Sequence, residues 1–242
     1  MPSFSPWSQS IGPASRRSAI RLLSGLLAAT MTLPVAAGAQ AKAGTWTPLV
    51  NGTTLAGWHN YDTPGKPVAG WAVENGLLVR TGPGGDLTTD KQYANFELEL
   101  EWKVEKGGNS GVIYRIDHSG EKSYVSGPEM QILDDAVHRD GKNLLTSAGA
   151  NYALHPAMPG VNKGAGEWNA VRLVVNGAHV EHWLNGKKVV EYDLGSADWE
   201  TRRKASKFAG AEKYGRAARG HIALQDHGDR VYFRNVRIRE LP

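Results

Sequence analysis

The sequence predicts an all-β fold, a jelly-roll β-sandwich built from two antiparallel sheets. Residues 96–104 alternate strictly, with an apolar side chain at every even position and a charged one at every odd position, which is the period of a strand that buries one face. Asn-Gly pairs at 75–76, 176–177 and 185–186 each separate two strand-like segments and favour two-residue hairpins. The 29 glycines and the lack of a convincing run of amphipathic helices also favour this fold class.

The first 39 residues are expected to form a secretory signal peptide. Three arginines precede the apolar run 22–35, and small residues follow it up to Ala39, after which cleavage is expected. The run is too short and too interrupted to span a bilayer, so no membrane anchor is expected in the mature protein. The arginine pair at 16–17 leaves a twin-arginine signal open. The mature protein, a single domain over residues 45–242, is expected to be periplasmic or secreted.

Nine more segments have the composition of short strands. Their sequences are rich in β-branched and aromatic residues and are bounded by turn residues. The predicted strands are residues 70–74, 77–81, 110–116, 129–133, 168–175, 179–184, 187–192, 221–225 and 230–239. Residues 196–219 break the pattern, because Lys, Arg and Ala surround three aromatic residues there. A long loop or short helix is predicted for them, either covering one end of a cleft or forming a plain surface insertion.

Charge and cysteine content exclude several functions. Without the signal peptide, 25 basic residues face 24 acidic ones, and the two kinds are interspersed, so nucleic acid is not an expected partner. The chain has no cysteine and therefore no disulfide, thiolate nucleophile or lipid-acceptor cysteine.

Several ordered blocks resemble the 3-keto-disaccharide hydrolase domain family. They include Leu-Val-Asn-Gly at 49–52, Gly-Asn-Ser-Gly at 108–111, Glu-Met-Gln-Ile at 129–132, and the run Gly220 to Gly228 followed by Phe-Arg-Asn at 233–235. The resemblance covers nearly all of the mature chain. It implies a concanavalin A-like fold whose concave sheet forms a sugar cleft.

The same resemblance implies an enzyme, a glycoside hydrolase or lyase acting on carbohydrates already oxidised at C3. Such an enzyme would work on the product of a separate sugar 3-dehydrogenase, and it would need no organic cofactor. The cleavage can proceed by elimination: a base removes the C2 proton, the glycosidic oxygen leaves C1, and water adds to the enone. This route needs a base, a cation or donors at the developing enolate oxygen, and a proton source for the leaving group.

Strand 129–133 carries the first candidate for this chemistry. Alternation places Glu129, Gln131 and Leu133 on one face, so Glu129 and Gln131 are expected to face either solvent or a cleft. Laminarinase-type glucanases, whose fold the family resembles, place acids at all three positions, whereas the third residue here is Leu133. This departure argues against a retaining glycosidase, which needs two carboxyl groups roughly 5 Å apart.

Two further catalytic candidates and a set of binding residues complete the expected site. Glu129 or His227 is the expected base, and Arg115 the expected clamp on the carbonyl or enolate oxygen. Alternatively, Arg115 pairs with the outward glutamates of strand 96–104, and His227 caps a turn. The candidates for binding substrate are Gln131, Gln225, Asn109, Tyr152, Trp168 and His182. A tryptophan can stack on a sugar or simply fill the core, and His182 can equally be a packed histidine.

An acidic loop after residue 133 gives a weak expectation of a metal site. Asp134 and His138 are the candidate ligands there, for calcium or for a catalytic divalent ion. Acidic loops are more often simply solvated. Two functional alternatives also stay open. The first is a non-catalytic lectin-like module, and the second is an ordinary glycosidase with another cleft carboxylate beside Glu129.

Overall fold

A computed structural model describes residues 43–242, and there the chain forms two antiparallel sheets packed face to face. The thirteen strands are β1 (Thr47–Pro48), β2 (Trp58–Asn60), β3 (Trp71–Glu74), β4 (Leu77–Arg80), β5 (Leu87–Thr89), β6 (Phe96–Val104), β7 (Asn109–Ile116), β8 (Glu129–Leu133), β9 (Asn169–Asn176), β10 (His179–Leu184), β11 (Lys187–Asp193), β12 (His221–Leu224) and β13 (Val231–Glu240). Two short helices accompany them, α1 (Ser123–Ser126) and α2 (Ala197–Lys204). The predicted sandwich is confirmed.

The two sheets differ in size and in what covers their outer faces. The larger sheet has the order β11-β10-β9-β6-β13-β4-β3, with β1 also paired to β13. The smaller sheet has the order β2-β5-β12-β7-β8. Every residue of β7 and β8 is buried, although only one face of a sheet packs in the sandwich. Loops must therefore cover the outer face of the smaller sheet.

Strand β6 shows how the alternating sequence produces the larger sheet. Its apolar residues, such as Phe96 and Trp102, are fully buried in the core. Its glutamates lie on the outer face, where Glu99 pairs with Arg237 and Glu101 with Arg234. One face of this sheet thus supplies the core, while the other carries a ladder of paired charges.

The Asn-Gly pairs form hairpins, with one shift of position. Asn75 and Gly76 have φ angles of 50° and 80°, and Asn185 and Gly186 have nearly the same values, 48° and 80°, as a type I′ turn requires. The third hairpin differs, because Asn176 pairs with His179 inside the ladder. Its turn is therefore Gly177-Ala178, one residue later than predicted.

All ten predicted strands occur, and their ends differ by at most one residue from the prediction. The sequence did not predict β1, β2 or β5, because a strand of two or three residues is too short to show a period. The predicted signal peptide, residues 1–39, lies outside the described residues. Within residues 43–242, no helix is long and apolar enough to cross a membrane.

Candidate active site

Strands β12, β7 and β8 lie side by side and bring the cleft residues together. Gly111 pairs with Gln131, Ile113 pairs with Glu129, and the Gln225 amide nitrogen donates to the Gly111 carbonyl. Directly opposite residues share a face in an antiparallel pair. Because Gly111 has no side chain, it leaves space between the side chains of Gln131 and Gln225.

Glu129 occupies that space. Glu129 is only 4% exposed, and its carboxyl lies across the backbone of Gly111. A Cβ atom added to Gly111 would stand 2.2 Å from Glu129 Oε1, which is far inside van der Waals contact. Glycine at position 111 is thus a steric requirement for the carboxyl to sit where it does.

The Glu129 carboxyl lines a cavity of about 200 Å³, here called the first lobe. Six of the predicted site residues contribute to it, namely Asn109, Glu129, Gln131, Tyr152, Gln225 and His227. Two residues that the sequence did not single out, Tyr124 and Lys207, complete the wall. The alternation along the strands thus brought the amides and the acid together, while loops supplied the other residues.

The electrostatic surroundings of Glu129 are unusual for a carboxyl group. Burial raises its pKa to about 8, because charge is poorly solvated inside a protein. The positive charge of Lys207 and a hydrogen bond with Gln225 oppose this rise in pKa, whereas the charges of Asp86 and Asp140 add to it. Near neutral pH both protonation states of Glu129 are accessible, as proton transfer requires.

Lys207 reaches the first lobe from the segment that follows α2. Its Nζ lies 4.2 Å from the centre of the Tyr152 ring and 5.6 Å from that of Tyr124, which are cation–π distances. Burial lowers the pKa of the Lys207 ammonium, and the negative charges of Glu129 and Asp140 counteract that effect. The cavity therefore pairs one buried acid, Glu129, with one cation, Lys207.

A stack of aromatic rings fixes the segment that carries Lys207. Trp199 of α2 is fully buried and stacks between Tyr192 and Tyr214, with ring centres 5.3 and 5.7 Å away. Phe208 stacks on Tyr214 at 4.0 Å. Lys207 thus directly precedes a buried ring, that of Phe208. The insertion predicted at 196–219 therefore covers the cleft and is not a plain surface loop.

Three amide oxygens at the first lobe have no hydrogen-bond partner among the described residues. They belong to Asn109, Gln131 and Gln225, and each is buried. Buried polar atoms in proteins normally have partners. Hydroxyl groups of a bound sugar would supply three donors to these oxygens.

Tyr152 is held by a hydrogen bond to the backbone of β8. Its amide nitrogen donates to the Glu129 carbonyl at 3.0 Å, and its hydroxyl donates to Asp140 at 3.2 Å. Burial, together with the charge of Asp140, raises the pKa of the Tyr152 phenol to about 12. Tyr152 thus stays neutral and holds the Asp140 carboxylate close to the lobe.

A second cavity of about 220 Å³, here called the second lobe, adjoins the first. Tyr124, Gln225 and His227 line both lobes. The second lobe is otherwise lined by Tyr61, Asp62, Gly85, Asp86, Lys122 and Asp226. Each lobe alone is small, but together they reach the size of small-molecule sites, about 300–1,000 Å³.

Arg115 does not join the first lobe, and its prediction as the oxygen clamp needs correction. A bulge places Tyr114 and Arg115 of β7 opposite Ile222 alone, and the φ of Arg115 is 57°. The bulge breaks the alternation and re-aims the side chain. The guanidinium donates to the carbonyl oxygens of Ala94, Gly177 and Ala217. Pairing with the glutamates of β6, the alternative role for Arg115, is also wrong.

His182 and Trp168 also lie away from both lobes. His182 is fully buried between the sheets, with Nδ1 2.9 Å from the Gly149 carbonyl and Nε2 3.1 Å from the Tyr114 hydroxyl. Burial lowers the pKa of His182 to about 4, so it is a neutral packing residue. Trp168 lies on the larger sheet, where Arg234 covers its ring at 4.1 Å. Neither residue is placed to bind substrate in the cleft.

The two candidate metal ligands are used by the loop itself. Asp134 accepts hydrogen bonds from the backbone amides of Gly107 and Ala136, and His138 Nδ1 accepts one from the Asp140 amide. These hydrogen bonds shape the turn and engage both carboxylate oxygens of Asp134 and Nδ1 of His138. The donor set does not fit a metal site at Asp134 and His138.

A larger cavity, of about 900 Å³, lies elsewhere, on the outer face of the larger sheet. Charged residues of its wall pair with each other, Arg234 with Glu101 and Arg237 with Glu99. The Trp183 ring in its wall is covered by Arg172 at 5.2 Å. Size alone does not make a site, and the raised pKa of Glu129 favours the smaller lobes.

Residues 45–239 match the family described as a 3-keto-alpha-glucoside-1,2-lyase-like domain. A curated 3-keto-disaccharide hydrolase of Bacteroides thetaiotaomicron is 36% identical over 226 residues, covering 80% of this chain and 77% of the relative.

Solved structures agree with that family match. A putative glycosyl hydrolase from Parabacteroides distasonis superposes with a TM-score of 0.76 at 33% identity, over 83% of this chain and 100% of the other. A second from the same organism gives 0.65 at 29% identity, over 81% and 100% of the two chains.

Proposed function

The chain belongs to the 3-keto-alpha-glucoside-1,2-lyase-like family, and we propose that it cleaves 3-keto-disaccharides or 3-keto-glycosides by elimination followed by hydration. The observation that carries this proposal is a buried acid, Glu129, with a pKa of about 8 in a cavity lined by unpartnered amide oxygens. Similarity to a named 3-keto-disaccharide hydrolase supports the substrate class.

Glu129 is the base in this proposal. A ketone at C3 makes the C2 proton acidic, but only weakly, so a carboxylate with a pKa of about 8 removes it more readily than one of ordinary basicity. The resulting enolate expels the glycosidic oxygen from C1. Water then adds its hydroxyl to C1 of the enone. The Glu129 carboxyl, having exchanged its proton with solvent, delivers a solvent proton to C2 and returns to the carboxylate, which completes a net hydrolysis.

Lys207 takes the role first assigned to Arg115. Its ammonium lines the same lobe as Glu129, and its charge acts on the Glu129 carboxyl. A cation that is already in position when the reaction begins stabilises the developing enolate oxygen more strongly than bulk water would. Lys207 also favours the ionised form of Glu129, because it lowers the pKa of that carboxyl.

The amides of Asn109, Gln131 and Gln225 would orient the sugar. Their buried oxygens accept hydrogen bonds from ring hydroxyls, and fixed orientation of the substrate accounts for a large part of many rate accelerations.

The geometry favours this chemistry over both alternatives. A lectin gains nothing from a buried acid whose pKa is raised at the cost of stability. A laminarinase-type retaining glycosidase has its second catalytic carboxyl four positions along the strand, and the residue there is Leu133, a fully buried apolar side chain.

Turnover of paired substrates tests the proposed function. Purified protein is incubated with a parent disaccharide and with its 3-keto derivative, with and without a chelator, and product release is followed by chromatography. We expect cleavage of the oxidised sugar only, and loss of at least about 100-fold in kcat for Glu129→Gln. The exposed Glu167→Gln is the matched control. Cleavage of the parent sugar, or full activity of Glu129→Gln, would refute the proposal.

The proposed substrate implies an enzyme that acts earlier, and the sequence suggests where the present one acts. A sugar 3-dehydrogenase must supply the ketone, so we propose that this enzyme acts after such an oxidoreductase and needs no organic cofactor itself. We also propose export and removal of residues 1–39. Mass spectrometry of the protein from the periplasm would show a mature chain beginning at Gln40, and an intact N-terminus there would contradict it.

A further inference from the structure

The second lobe has no part in the chemistry described so far, although it adjoins the first. The two share Tyr124, Gln225 and His227, whereas Glu129 and Lys207 line the first lobe only. A disaccharide also has two parts, the oxidised ring and the sugar that leaves. The arrangement of the cleft therefore matches the arrangement of the substrate.

The second lobe offers groups suited to an unmodified sugar. Asp62 and Lys122 form an ion pair of 3.0 Å at its rim, and both side chains are about half exposed. The Tyr124 ring is 40% exposed and can lie against the apolar face of a sugar ring. Carboxylate, ammonium and aromatic groups together can recognise a polyhydroxylated ring.

The floor of the second lobe is rigid. Asp226 accepts hydrogen bonds from the amides of Gly84 and Gly85 and pairs with Arg80. The Asp86 carboxyl accepts from the Ser123 hydroxyl and from the Asp226 amide. Both carboxyls are thus engaged in holding the loop.

We propose that the second lobe binds the leaving sugar and that His227, on the wall shared by the lobes, protonates the glycosidic oxygen. This inference rests on the proposed function. With the oxidised ring beside Glu129 and the other ring beside Asp62, the bond between the rings must pass the shared wall. Of the side chains on that wall, Tyr124, Gln225 and His227, histidine is the one that enzymes use most often to transfer a proton.

The surroundings of His227 fit this role. The residue is exposed, and its side chain has no hydrogen-bond partner within residues 43–242. Its ring meets that of His138 edge-on, with centres 6.3 Å apart. As the C1–O bond breaks, its electron pair goes to the glycosidic oxygen, which takes the proton from His227. The imidazole then regains a proton from the water that adds to C1.

Leaving groups of different basicity test the role of His227. We expect His227→Gln to lower kcat/KM about 100-fold for a 3-keto-disaccharide and less than about tenfold for a p-nitrophenyl 3-keto-glucoside, whose phenolate leaves without protonation. Equal losses on the two substrates, or no loss on either, would overturn the assignment of the acid.

A blocking substitution tests the binding role of the second lobe. We expect Asp62→Trp to raise KM for the 3-keto-disaccharide at least about tenfold more than KM for methyl 3-keto-glucoside, which lacks the second ring. Lys91→Ala removes an exposed ion pair outside the cleft, the one with Glu240, and serves as the control with no effect on either KM. Equal changes in the two KM values for Asp62→Trp would overturn the subsite. If the unsubstituted protein cleaves none of these oxidised substrates, the proposed function itself fails.

Discussion

At the scale of single residues, Glu129 illustrates how a strand can be read from sequence. Alternation placed Glu129 and Gln131 on a cleft face, and the structure puts both in one cavity. The same rule failed for Arg115, because a bulge in β7 changes the phase two residues beyond Ile113. Lys207 lies outside any regular strand, so no periodic pattern could locate it. Strand faces can thus be predicted up to the first irregularity, and loop residues cannot.

The pH dependence of activity reports the charge on Glu129. A base is active when ionised, so kcat/KM for p-nitrophenyl 3-keto-glucoside, whose leaving group needs no proton from His227, should rise with pH with a midpoint near 8. Lys207 lowers the pKa of Glu129, so Lys207→Met should move the midpoint to higher pH and reduce activity at pH 7. Lys204→Met, an exposed lysine on α2, is the control. An unchanged or lower midpoint in Lys207→Met would contradict the coupling.

Stability should reveal the same raised pKa independently of activity. Between the unfolded pKa, near 4.5, and about 8, the folded protein holds a proton on Glu129 that the unfolded chain has released. Stability from this group is therefore complete below about 4.5 and is lost as pH rises to about 8. Glu129→Gln removes the cost of ionising this buried carboxyl at high pH.

Thermal unfolding measures this effect. We expect Glu129→Gln to raise Tm on the order of 5 °C at pH 9 and to change it little at pH 4.5, whereas Glu167→Gln leaves Tm unchanged at both. A lower Tm for Glu129→Gln at pH 9 would show that the buried carboxylate stabilises the fold.

At the scale of elements, the segment from α2 to Tyr214 links packing to chemistry. The sequence showed its aromatic residues but not what they touch, because Trp199 also stacks on His155, which lies far away in the sequence. These contacts hold the turn that presents Lys207 to Glu129. The segment is thus a structural support of the site.

Removing the central ring tests that link. Trp199→Ala should cost about 3–5 kcal/mol of unfolding free energy, because a fully buried tryptophan leaves a large cavity. If the stack positions Lys207, the variant assayed below its Tm should also show the higher midpoint of Lys207→Met. Loss of stability with an unchanged pH profile would mean that the stack supports the fold alone.

At the scale of the whole molecule, the two sheets divide the work. The larger sheet, whose outer face carries paired charges, provides half of the core. The smaller sheet carries Glu129 under a cover of loops. The period-two pattern predicted this architecture well. It could not say which outer face holds the site, because that depends on the loops packed against each sheet. Folds of this kind also serve several functions, so the fold alone does not assign one.

The central claim is that Glu129 removes the C2 proton of an oxidised sugar, and cleavage in D₂O tests it most directly. Initial-rate product from a 3-keto-disaccharide is analysed by NMR, with an enzyme-free sample to correct for spontaneous exchange. The account predicts deuterium at C2 of the released 3-keto sugar, formed at the rate of cleavage and lost together with cleavage in Glu129→Gln. Product that retains its original hydrogen at C2 would show direct hydrolysis and contradict the account.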